Sequence, residues 1–145
     1  PNFMYWMKLG KDIPLTGDGS ETRDFTSVLD LCQGLIKACY YNEAIGENFN
    51  LAAGREITIR DLIEVIGKAF KKEYNIVNRP RRKWDTKPRI LASIQKAQQI
   101  IKYKPFIEFE EGFSDTFNWF NDNWEEILEL ADFPPGLNSA VRKRL

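Results

Sequence analysis

Histidine is absent from these 145 residues, and that absence removes more chemistry than any residue present adds. Neither Ser-His-Asp nor Cys-His catalysis is open to the chain, and no metal site can use a histidine ligand. Cysteine is scarce. The only two, Cys32 and Cys39, fall seven residues apart in a helical pattern, which places them two turns apart and too distant to bridge. Both lie on the apolar side of that pattern and are expected to be small buried hydrophobes. Net charge is missing as well: 21 basic residues cancel 21 acidic ones, so bulk charge argues for neither a nucleic-acid nor a membrane partner. No apolar run reaches transmembrane length and no signal peptide is present, which makes a cytoplasmic protein the expectation. The length suits one domain with a sizeable core. Because the chain opens at Pro1 directly into an apolar segment, it reads as a piece of a larger protein.

What is present alternates helices with short strands, an α/β pattern. Residues 2–9 predict a short apolar helix stopped by Gly10, and Ile13 to Thr16 an extended piece. The spacing of Val28, Leu31, Cys32, Leu35, Ile36, Cys39 and Tyr40 predicts a helix over 28–41. Glu47 to Ala52 reads as a strand, and Thr58 with Asp61 as the capped start of a helix carrying Ile59, Leu62, Ile63, Ile66 and Phe70. A strand over Tyr74 to Val77 leads into a basic, proline-punctuated loop at 79–89. A helix near 94–102 and a long one from about 110 to 131 follow. In the last helix Phe113, Phe117, Phe120, Trp124, Ile127 and Ala131 keep the helical period and are expected as its buried stripe. Trp84 is expected to be a packing residue.

Two segments carry candidate chemistry. Gly17 and Gly19 flank Asp18 in a turn signal that feeds Arg23, whose planar fork suits phosphate oxygens. Between Arg79 and Arg89 six cations face a single acid, Asp85. The segment from Glu108 to Asp132 holds nine acids and no cation, as a solvated helix face would, and Arg142-Lys143-Arg144 is basic again. For the 79–89 loop, a solvated surface, a nucleic-acid patch and a phosphate clamp all remain open. A nucleic-acid domain usually shows broad net positive charge, whereas a clamp needs only two or three cations from different segments.

The run Gly17-Asp18-Gly19-Ser20-Glu21-Thr22-Arg23-Asp24-Phe25-Thr26, followed by Asp30 and Gly34-Leu35-Ile36, resembles the GDG-x-x-x-RDF-x-x-V-x-D signature of extended short-chain dehydrogenase/reductases. These are the nucleotide-sugar epimerases and dehydratases, such as UDP-glucose 4-epimerase. Phe49-Asn50-Leu51-Ala52-Ala53-Gly54 resembles their FN-[IL]-G-[SA]-G strand, and Ile57 to Leu62 the helix start that follows it. Arg79-Pro80-Arg81-Arg82-Lys83-Trp84-Asp85 resembles their PRR-x-x-D loop, Ala92 to Ala97 their AD-x-SKA segment, and Glu110-Glu111-Gly112 through Trp119 their EEG-x-x-x-T-x-x-W ending. The order is the family's over nearly the whole chain. Three positions depart from it: Ala52 replaces a glycine, Ser93 an aspartate, and Ser27 a common aromatic.

The resemblance implies the carboxy-terminal, substrate-binding part of a Rossmann-type enzyme, a small mixed α/β domain of helices and short strands. It implies Arg23 and Arg82 on the diphosphate of a UDP-sugar or related nucleotide sugar. Ile13, Leu15 and Thr16, in the stretch Ile13 to Thr16, would lie beside the nucleobase, and Asp85 would fix the loop or touch a ribose hydroxyl. Family members hold NAD on a Gly-x-x-Gly-x-x-Gly turn and move a sugar proton with a Tyr-x-x-x-Lys pair. Neither motif occurs in this sequence, so NAD is expected on a missing amino-terminal half and no catalytic residue in this chain. The resemblance also implies that the helix over 28–41 and the strand over 47–51 pack against that half. A homodimer is compatible with it. A stand-alone nucleotide-binding module, or an interaction domain using the basic loop without catalysis, is the alternative.

Overall fold

The computed structural model describes residues 1–81, 83 and 86–130. Arg82, Trp84, Asp85, Ala131 and the basic tail at 142–144 lie outside the described residues. Along the chain run α1 (Asn2–Lys8), β1 (Ile13–Thr16), β2 (Thr22–Arg23), α2 (Val28–Tyr40), a 3₁₀ turn (Asn42–Ala44), β3 (Ile57–Thr58) and α3 (Ile59–Phe70). Then come β4 (Ile76–Arg79), β5 (Arg89–Ile90), α4 (Gln95–Ile100), α5 (Phe109–Asp122) and α6 (Trp124–Leu130). The chain divides into two units. The first draws its described residues from Pro1–Ser20, Arg60–Thr86 and the chain from Phe117 onward; the second comprises Glu21–Ile59 and Lys87–Thr116.

In the first unit β1 and β4 pair in parallel, from Ile13 opposite Ile76 to Thr16 opposite Arg79. Alternation along β1 buries Ile13 and Leu15 and leaves Pro14 and Thr16 half-buried, the period expected of a strand with one covered face. The core gathers Met4, Tyr5, Trp6 and Met7 of α1, Ile63 and Ile66 of α3, and Phe120 of α5. Phe70 and Phe117 meet edge to face at 4.8 Å, a favoured aromatic geometry. The Lys8 ammonium lies 4.5 Å from the centre of the Trp124 ring and donates to Asn121 Oδ1 at 2.7 Å.

In the second unit β2 is the middle strand of three, antiparallel to β3 and parallel to β5. Ala97, Ile101 and Tyr103 form the buried centre, with Ala38, Phe49, Leu51 and Ile94 packed on it. Asp30 and Gly34 are the buried residues of α2, and Leu51 sits in the notch that Gly34 leaves: a Cβ there would stand 2.6 Å from Leu51 Cδ2.

Four expectations change. Cys32 and Cys39 are exposed, because α2 turns its small and polar side, with Asp30, Gly34 and Ala38, inward. Its apolar side, with Val28, Leu31, Leu35, Ile36 and Tyr40, faces outward. Glu47 to Ala52 is no strand among the described residues: a strand needs a ladder partner, and none of them supplies one. Side chains pin the segment instead, with Asn50 Nδ2 donating to the Ser93 carbonyl at 3.2 Å and the Tyr103 hydroxyl to that of Ala52 at 3.0 Å. The strand expected over 74–77 lies over Ile76–Arg79. Finally, the long last helix is interrupted at Asn123, where the Trp119 carbonyl accepts both the Asn123 N–H at 3.0 Å and its Nδ2 at 2.8 Å. Of the stripe expected there, Phe120 alone among the described residues is fully buried, while Phe113, Phe117, Trp124 and Ile127 are half-buried.

Candidate functional site

The glycine turn is built as its sequence demands. Gly17 and Gly19 hold φ of 81° and 80°, a region that favours glycine. Between them Asp18 Oδ1 accepts the Ser20 N–H at 3.0 Å and the Ser20 hydroxyl at 2.7 Å. Those bonds, and more weakly the charge of Arg81, hold the Asp18 carboxyl below its usual range. Arg60 Nη2 closes the turn on the Asp18 carbonyl at 2.7 Å, and a Cβ on Gly19 would meet Leu15 Cδ2 at 3.0 Å.

Arg23 stands in β2 opposite Ile57 on one side and Ile90 on the other. It is half-buried, and its Nη1 donates to the Thr22 carbonyl at 2.7 Å. Next to it, Asp24 takes no part in the sheet. Its Oδ1 accepts the Ala53 N–H and its Oδ2 the Gly54 N–H, both at 3.0 Å, and the Thr26 hydroxyl oxygen also accepts from Ala53 at 3.0 Å. The RDF segment therefore grips the turn that ends the Phe49–Gly54 segment. Asp30, fully buried, accepts the N–H groups of Phe106 at 2.8 Å and Ile107 at 3.2 Å. Arg55 holds the same stretch through the Ile107 carbonyl at 2.7 Å and an ion pair with Glu108.

Glu56 joins all three strands of the second unit. Its Oε1 accepts the Thr22 hydroxyl at 2.6 Å and Arg89 Nε at 2.8 Å, while its Oε2 accepts Arg89 Nη2 at 2.7 Å. The Arg89 bonds first, then the Thr22 bond, hold the Glu56 carboxyl below its usual range, and Glu56 raises Arg89 in return. One of the six loop cations is thus committed to a fork-to-fork ion pair. Arg79, Lys83 and Lys87 are exposed.

Of the residues expected at a ligand, Ile13 and Leu15 have side chains in the first unit's core, 0% and 1% exposed. What β1 can offer a ligand is therefore Pro14 and Thr16, which are half-buried, and backbone. Arg23 belongs to the second unit, while Arg82 and Asp85 lie outside the described residues. Sequence reasoning missed the structural work of Asp24, Asp30 and Glu56. Asp30 reads in sequence as a first-turn acid favoured by the helix dipole, and no periodicity separates Glu56 from a solvated acid. Among the described residues no group of three or more cysteine, aspartate and glutamate side chains could hold a metal ion, and no helix is long and apolar enough to cross a membrane.

Comparison with known proteins meets this geometry at the family level. Residues 1–116 match the family model described as GDP-mannose 4,6 dehydratase. The UDP-glucuronate 4-epimerase of Thermodesulfobacterium geofontis is 35% identical over 134 residues, covering 88% of this chain and 39% of the relative. A solved epimerase from Methanothermobacter thermautotrophicus superposes with a TM-score of 0.88 at 44% identity, covering 92% of this chain and 40% of that one. A dTDP-glucose 4,6-dehydratase from Bacillus anthracis, solved in complex with NAD, superposes with a TM-score of 0.76 at 25% identity, covering 86% and 39%. The chain belongs to the extended short-chain dehydrogenase/reductase family of nucleotide-sugar epimerases and dehydratases. It spans about 40% of the length of the relatives it matches.

Proposed function

We propose that this chain is the substrate-binding, carboxy-terminal part of an NAD-dependent nucleotide-sugar epimerase or dehydratase, similar to UDP-glucose 4-epimerase. The observation that carries the reading is the ordered match over residues 1–116 together with the 0.88 superposition on a solved epimerase. Arg23 and Arg82 are assigned to the diphosphate, Thr16 and the backbone of Ile13 to Thr16 to the nucleobase, and Asp85 to the loop or a ribose hydroxyl. Nicotinamide, when bound, supplies hydride transfer in such enzymes. Nothing in this sequence matches the dinucleotide turn or the Tyr-x-x-x-Lys pair, so NAD and the proton-moving residues are assigned to chain outside it. What the residues of this chain contribute is a hold on the part of the substrate that does not react. Binding energy from a remote diphosphate orients the sugar and leaves the hexose free to turn. A cytoplasmic location, an amino-terminal Rossmann half as intramolecular partner, and a homodimer complete the proposal.

Calorimetry with a UDP-sugar on the longer protein tests it. Arg23→Ala and Arg82→Ala are each expected to weaken binding by about 1.5–3 kcal/mol, the scale of a charge-assisted hydrogen bond. Lysine at either position restores only part, because the fork is lost. Unchanged affinity in both alanine variants removes the clamp.

A further inference from the structure

The strand that carries Arg23 is two residues long, as are both of its neighbours. Strands this short offer few ladder bonds, and a slip of one residue would turn Arg23 to the opposite face. Something besides the ladder must fix the register. Thr22 and Arg23 project to opposite faces of the sheet. On the Thr22 face lie Arg89, directly across in β5, and Glu56, which precedes β3. Glu56 receives the Thr22 hydroxyl and both nitrogens of the Arg89 fork, and the Thr22 N–H donates to the Pro88 carbonyl at 2.8 Å. One carboxylate therefore ties the middle strand to both outer ones, from the face that Arg23 does not use.

We propose that the Glu56–Arg89 ion pair, with the Thr22 hydroxyl, is a positioning clip that sets the face and direction of Arg23 and so tunes nucleotide-sugar affinity. Glu56 and Arg89 are positioning residues and make no contact with the ligand. The pair is part exposed, with side-chain accessibilities of 23% for Glu56 and 66% for Arg89, so it adds little to global stability. Its effect is on geometry. The inference rests on the assignment of Arg23 to the diphosphate.

The test titrates this chain with UDP-glucose, following amide signals for affinity and melting for stability. Arg89→Ala and Glu56→Gln are each expected to weaken binding by about threefold to tenfold, the range of coupling between residues in one network, with melting nearly unchanged. The double variant should be no weaker than the worse single one. Arg89→Lys keeps the charge without the fork and should fall between. The charge-swapped pair Glu56→Arg with Arg89→Glu should regain most of the affinity, which guards against a trivial folding defect. Wild-type binding with unchanged affinity in the single variants overturns the clip and leaves the substrate assignment standing. Affinity that falls only in step with melting, without rescue by the swap, also overturns it. No response of the wild-type chain to UDP-glucose overturns both.

Discussion

Asp24 and Asp30 look alike in the sequence, two acids flanking a helix start, yet each closes a different loop. Asp24 fixes the 53–54 turn and Asp30 the 106–107 backbone. Asp30→Ala strips two N–H groups of their acceptor in a buried setting, so unfolding by urea should show a loss of about 2–3 kcal/mol, read as a lower midpoint at unchanged slope. A loss within experimental error would show that water replaces the carboxylate. Tyr103, 1% exposed, answers to pH. Burial first, then the charges of Asp30 and Asp24, push its phenol up to about 12 from an ordinary value near 10. A raised phenol value means that the fold favours the neutral form. Its stabilising share is whole below about pH 10, where the unfolded phenol also stays protonated, and is lost as pH rises through the folded value near 12. Absorbance titration should show one tyrosine ionising late, and Tyr103→Phe should delete that step. If the late step survives the substitution, the assignment is wrong.

At the scale of elements, α3 and the segment before β4 meet at Gly67. A Cβ there would stand 2.2 Å from Tyr74 Cε1 and 2.8 Å from Cδ1, so Gly67→Ala must displace the ring and should cost about 1–3 kcal/mol. In a Tyr74→Ala background the same substitution should cost clearly less; an equal cost in both backgrounds would place the strain elsewhere. Elements of this kind were legible in the sequence where periodicity or turn chemistry defines them. Ile13 to Thr16 is β1 as read, the helix over 28–41 is α2 to within a residue, and the Gly17–Gly19 turn has the positive φ its glycines announce. What the pattern could not supply is which way a face turns. The apolar stripe of α2 marks a surface to be covered, and the small side with Gly34 is the one that meets Leu51 within this chain. Likewise Glu47 to Ala52 has strand composition without a strand partner among the described residues. The candidate site was legible as a motif through Arg23, while Glu56 and Arg89 are joined only by the fold, across 33 residues of sequence.

For the whole molecule, the outward side of α2 is the main consequence. Leu35, Ile36 (68% exposed) and Tyr40 (85% exposed) form an apolar face with Val28 and Leu31, and contiguous exposed apolar surface invites association. In the proposed longer protein the Rossmann half is expected to cover it; alone, copies of the chain are expected to cover it for one another. Sedimentation velocity should show a concentration-dependent rise in mass, reduced by Leu35→Lys with Ile36→Glu. A clean monomer at high concentration with high thermal stability would count against this.

Amide-resolved titration of the wild-type chain separates the proposed grip on a nucleotide diphosphate from a grip on nucleic acid. UDP or a UDP-sugar is expected to shift a localised set of signals within Asp12 to Thr26 and Arg79 to Lys87, while oligonucleotides bind only in the weak non-specific range. Tight oligonucleotide binding that falls steeply with salt, as counterion release requires, with no joint response of those two segments to UDP, would rule out the proposed diphosphate site.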